Sequence, residues 1–208
     1  WIAVRRKVAG RTQRHVERLD PLFAGLSSVD AFFLDAGLTY EGRNDTRTLT
    51  LTLEPAQGND PEEEASWAAG AEALLTAQGH EPFSEASLGQ AYLLQDPALL
   101  PDSILDPAPV EPLLDPSQPG LKVRVLSVDS ASQVRVRLTS TVPAALRQVP
   151  TPLWSRPVDQ LSGLAHLAGA TAHVLADGAV EPPRTVGDDG GLTISREASV
   201  VHVGLPYV

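Results

Sequence analysis

A strict two-residue alternation of apolar and polar side chains restricts this chain to a small set of folds. It is clearest at residues 46–53, TRTLTLTL, where Leu49, Leu51 and Leu53 alternate with threonines. Successive side chains of a β-strand point to opposite faces, so the three Leu share one face and the β-branched Thr share the other. We therefore expect a strand with a buried Leu face and a half-exposed Thr face.

Similar alternation recurs in short segments with Gly and Pro between them. Residues 1–19 are predicted to form a hairpin that turns at Ala9-Gly10, and residues 121–140 a second hairpin. Helix is expected only as short turns near residues 22–33 and 143–148. This pattern predicts an all-β protein.

Two breaks in composition divide the chain. One spans residues 54–66 and contains PAQGNDPEEE, and the other spans 143–158 with several Pro. Because domains are tolerated as insertions in loops, we predict one discontinuous β-domain from residues 1–60 and 150–208, with residues 66–148 as an inserted domain.

A Pro-rich acidic loop is predicted within the insert, at residues 96–120. It holds seven Pro, more than a helix or a paired strand tolerates. Three similar strings recur there, LLQDP (93–97), SILDP (103–107) and PLLDP (112–116). They fit turns opened by Asp-Pro with packed Leu and Ile, and the alternative is a partner-docking or calcium-binding repeat.

The charge of −10 is concentrated in the middle of the chain. Residues 48–121 contain thirteen Asp/Glu and no Lys or Arg, whereas residues 1–47 hold eight basic against six acidic residues and 122–208 eight against seven. A block without basic residues repels phosphate backbones, so sequence-specific binding of nucleic acid is not expected.

The sequence lacks features that several classes of protein require. Without Cys it has no disulfide and no Cys-based zinc site. It has no run of 18 apolar residues, so no membrane span is expected within this segment. The chain starts at Trp1, contains no Met and ends after a strand-like run, and we therefore expect it to be part of a longer polypeptide.

The ionisable residues form no recognisable catalytic or metal-binding pattern. His166 and His173 are the closest His pair, but their spacing of seven does not suit one strand face. Asp188 and Asp189 in GDDGG fit a turn better than a calcium loop, and Glu62–Glu64 fit solvated charge. We therefore predict no catalytic, cofactor-binding or metal-binding residue, and no cofactor.

Several strings resemble a family of phage proteins. They are VERLD (16–20), DAFFLDAGLTYEG (30–42), LSGLAHLAG (161–169), VLADGAV (174–180) and ASVVHVGLPY (198–207). These segments are similar to tail proteins related to the nozzle, or tail tubular protein B, of short-tailed phages. The resemblance implies that both ends of the chain form one domain.

The insert carries a second resemblance. Residues 73–94 and 121–138 are similar to the small β-barrel known as the first catalytic cysteine half-domain of ubiquitin-activating enzymes. Since this chain has no Cys, the resemblance implies a shape and no ubiquitin chemistry. Together the two resemblances imply an all-β fold, a discontinuous β-domain with an inserted small β-barrel, from which the loop 96–120 departs.

The first resemblance also implies a function. It points to a non-enzymatic structural component of a bacteriophage tail, assembled in the bacterial cytoplasm into a ring of identical subunits, six in number, that contacts neighbouring tail proteins in the virion. One alternative is a receptor- or glycan-binding tail module that uses the acidic Pro-rich loop. Another is a glycan-degrading tail enzyme, which would need two carboxylates at catalytic separation.

Overall fold

The computed structural model of the protein describes residues 2–8, 11–17, 34–43, 47–54, 60–96, 114, 116 and 119–206. The predicted fold class is confirmed: the described residues are mostly β, contain no helix of seven or more residues, and include a nearly closed, barrel-like sheet of seven strands. Most of the Pro-rich loop 96–120 and the turn expected near 22–33 lie outside the described residues.

Fifteen strands are assigned within the described ranges. In chain order they are β1 (Ile2–Val8), β2 (Arg11–Glu17), β3 (Leu34–Glu41), β4 (Leu49–Thr52), β5 (Glu72–Ala77), β6 (Ala91–Leu94), β7 (Leu121–Ser130), β8 (Gln133–Leu138), β9 (Pro150–Thr151), β10 (Trp154–Ser155), β11 (Val158–Leu161), β12 (Thr171–Ala176), β13 (Ala179–Thr185), β14 (Leu192–Ala198) and β15 (Val200–Pro206). The antiparallel pairs β1–β2 and β7–β8 confirm the two predicted hairpins.

Short 3-10 turns interrupt the strands. The turn expected near 143–148 is present at Ala144–Leu146. Three more, at Glu64–Trp67, Glu85–Ser87 and Ala165–Leu167, were not predicted. Each is three or four residues long, too short to carry the helical periodicity that a sequence pattern reveals.

The chain forms two compact units. Unit 1 consists of Trp1–Glu41, Asp115–Ser117 and Val158–Val208, and unit 2 of Gly42–Leu114 and Gln118–Pro157. The amide of Arg156 donates to the carbonyl oxygen of Gly42 at 2.9 Å, so the two ends of unit 2 meet in a stem.

These limits correct the predicted domain boundaries. Residues 49–54 and 150–157 were assigned to the discontinuous domain, yet β4, β9 and β10 belong to the sheet of unit 2. The reason is that β4 pairs with β5 on one side and β9 on the other. The Leu face of β4 is therefore buried in the core of this sheet. The composition break at 54–66 is a connection inside unit 2 and does not mark a boundary.

The sheet of unit 2 nearly closes on itself. Its strand order is β10-β6-β7-β8-β5-β4-β9, which places β9 and β10 at opposite ends. Only Pro152 and Leu153 separate these two strands in sequence, so the connection brings the ends together. Near it the Thr151 hydroxyl donates to the Gln95 carbonyl oxygen at 2.9 Å, and the Gln95 amide donates to the Leu153 carbonyl oxygen at 2.8 Å.

The interior of unit 2 is filled by the apolar faces of these strands. Leu49 and Leu51 are fully buried, as the alternation predicted. Their largest fully buried neighbours in the cluster are Trp67, Leu75, Tyr92, Leu94, Leu121 and Leu138. On the other face Thr52 is half-buried, but Thr50 is buried, so the predicted half-exposed Thr face is only partly observed.

The described residues of unit 1 form three sheets. A four-stranded antiparallel sheet has the order β13-β12-β15-β3, a second sheet pairs β11 with β14, and the third is the β1–β2 hairpin. Residues of the first two sheets share one buried cluster: Leu161, Leu164, Leu167, Val174, Leu192, Ile194, Val201 and Val203 are among its members. This core supports the four-stranded sheet.

Candidate assembly surface

Three of the five strings that resemble phage tail proteins contribute strands to the four-stranded sheet of unit 1. β3 lies within DAFFLDAGLTYEG, β15 within ASVVHVGLPY, and β12 and β13 share VLADGAV. β15 is central: Val201 pairs with Tyr40 of β3, and His202 pairs with Leu175 of β12. Strings from opposite ends of the sequence are thus hydrogen-bonded neighbours.

Close packing joins β3 to β15. The Thr39 hydroxyl and Nδ1 of the buried His202 are 2.9 Å apart and share a hydrogen bond. At Gly37 a Cβ would lie 2.5 Å from the Val203 carbonyl oxygen, so only glycine permits this approach. His202 is therefore a core histidine with a hydrogen-bond partner, and it holds the sheet together.

The two edges of the sheet differ. The edge strand β13 contains Pro182 and Pro183, which have no N–H to offer to a further strand. The opposite edge strand, β3, is eight residues long and contains no Pro. Proline on an edge is a common device against pairing with another chain, and a β-bulge is another. The register of β3 against β15 shifts between Val203 and Leu205, as it does at a bulge.

A charged network lies on β13 and β14. Hydrogen bonding from Ser195 lowers the pKa of the buried Glu181 carboxyl, and the nearby Arg196 guanidinium, 3.4 Å away, acts in the same direction. Arg184 donates to the Ser195 hydroxyl. Sequence reasoning missed this network because it depends on cross-strand register, which no local motif encodes.

The structure places the histidines in separate settings. His166 is exposed on the 3-10 turn, and His173 is half-buried on β12. In unit 2 His80 stacks on Trp154, with ring centroids 6.2 Å apart. Among the described residues no group of three or more His, Asp or Glu side chains is arranged to hold a metal ion.

The GDDGG segment forms a turn. The Asp189 carboxylate accepts a hydrogen bond from the Gly191 amide at 2.9 Å, and the Gly187 amide donates to the Gly191 carbonyl oxygen at 2.8 Å. Gly190 has φ of +76° and donates its amide to the Gly187 carbonyl oxygen. Asp189 thus shapes the turn, as the sequence interpretation proposed.

The acidic run at residues 62–64 is exposed but not uniformly solvated. Glu64 accepts two hydrogen bonds from the Arg147 guanidinium, at 2.9 and 2.6 Å, and the bond lowers the pKa of Glu64 and raises that of Arg147. Arg147 also donates to the Val142 carbonyl oxygen and lies 5.7 Å from the centre of the Trp67 ring. This run is therefore attached to the barrel of unit 2.

No family model and no curated protein matches this chain. Within the described ranges, no helix is both long and apolar enough to cross a membrane. Inference about function therefore depends on the sheet and on the sequence segments that build it.

Proposed function

We propose that the protein is a structural component of a bacteriophage tail that acts by self-assembly. The observation that supports this most directly is the four-stranded sheet of unit 1. Its strands β3, β12, β13 and β15 come from the strings that resemble the tail nozzle family, although they lie at opposite ends of the sequence. If these short strings resembled the family only by chance, there would be no reason for them to lie in one sheet.

In this proposal the subunits form a closed ring of six in the virion and contact neighbouring tail proteins. Such a ring uses two different surfaces of each subunit, so that each interface joins unlike patches. The role requires no catalysis and no cofactor.

Mass photometry and negative-stain electron microscopy of the purified chain test the proposal. We expect a concentration-dependent oligomer that appears as rings of one size. A chain that stays monomeric at all concentrations and binds a glycan saturably on an array would overturn the proposal, because that behaviour belongs to the receptor-binding alternative.

A further inference from the structure

We draw no further inference here: the strongest candidate, the apolar surface strip on the β12–β13 hairpin of unit 1, where Val180 is 81% exposed opposite Leu175 and Pro182 is also exposed, carries none because nothing in the described part of the chain shows what covers it.

Discussion

At the residue scale, two buried polar groups of this protein have opposite environments. The Thr50 hydroxyl in unit 2 is buried and has no hydrogen-bond partner. The Glu181 carboxylate in unit 1 is also buried, but it interacts with Ser195 and Arg196. Removing an unsatisfied polar group and removing a satisfied one have opposite effects on stability, which makes both residues useful probes.

Thr50→Val should stabilise unit 2. The change keeps the β-branched shape and removes a hydroxyl whose burial without a partner costs about 1–3 kcal/mol. We expect the free energy of unfolding to rise by about 1 kcal/mol in urea titrations. The control is Thr52→Val at the half-buried position two residues along, where little change is expected. A loss of stability in the Thr50 variant would mean that the hydroxyl has a partner.

Glu181 should make the stability of unit 1 dependent on pH. Its folded-state pKa is lowered from the ordinary value of 4.5, chiefly by hydrogen bonding from Ser195. The unfolded state therefore binds more protons between the two pKa values, so this stabilisation is complete above about pH 4.5 and is lost as the pH falls through the folded-state pKa.

Glu181→Gln tests this directly. The melting temperature of the wild type should drop as the pH is lowered from about 5 to 3, and the variant should lose part of that drop because its amide does not titrate there. Asp159→Asn removes an exposed carboxylate of the same unit and is the matched control. An identical pH profile for wild type and Glu181→Gln would contradict the expectation.

At the element scale, strands with a regular period were predictable and irregular features were not. The alternation at 46–53 correctly predicted β4 and the burial of Leu49 and Leu51. The second hairpin was also predicted correctly, but the two register shifts between β7 and β8 were not. Bulges depend on contacts between strands, so a local pattern does not reveal them.

The candidate surface was predictable only in part. The sequence strings identified the strands of the unit 1 sheet, but they did not identify its order or which edge carries Pro182 and Pro183. Likewise, the contact between Thr39 and His202 joins residues far apart in the chain. Such features follow from register and topology, and a single sequence contains no direct record of either.

Two turns that contain glycine give a prediction about stability at the element scale. Gly190→Ala should destabilise unit 1 by more than Gly79→Ala destabilises unit 2. Both glycines have positive φ, +76° and +72°, which costs an L-residue about 1–2 kcal/mol. Only at Gly190 does a Cβ meet backbone, 2.5 Å from the Ala165 amide nitrogen, whereas nothing lies within 4 Å at Gly79.

Denaturant melts of the two glycine variants measure this difference. We expect the Gly190 variant to lose about 1–3 kcal/mol beyond the loss at Gly79, the usual cost of overpacking. Equal losses at both positions would show that backbone strain alone decides the effect and that the turn moves away from Ala165 easily.

At the scale of the whole molecule, the predicted and observed boundaries of the insert lead to different experiments. The predicted insert, 66–148, leaves β4, β9 and β10 with the flanking domain. The observed unit 2 includes these strands. The chain enters and leaves this unit at adjacent residues, because the Arg156 amide donates to the Gly42 carbonyl oxygen and Arg43 forms a β-bridge with Ser155. A short linker can therefore replace it.

Replacing residues 43–155 with two glycines should leave unit 1 folded. Each linker residue spans about 3.3–3.6 Å, so two residues are enough to join hydrogen-bonded neighbours. The only part of unit 1 that this deletion removes is the segment Asp115–Ser117. Deleting 66–148 instead should give an aggregating chain, because Leu49, Leu51 and Trp154 lose their core. Urea melts followed by circular dichroism distinguish the two: a single cooperative transition is expected for the first deletion and none for the second. Loss of cooperativity in the first, with a folded product from the second, would show that the barrel strands β4, β9 and β10 belong with the flanks after all.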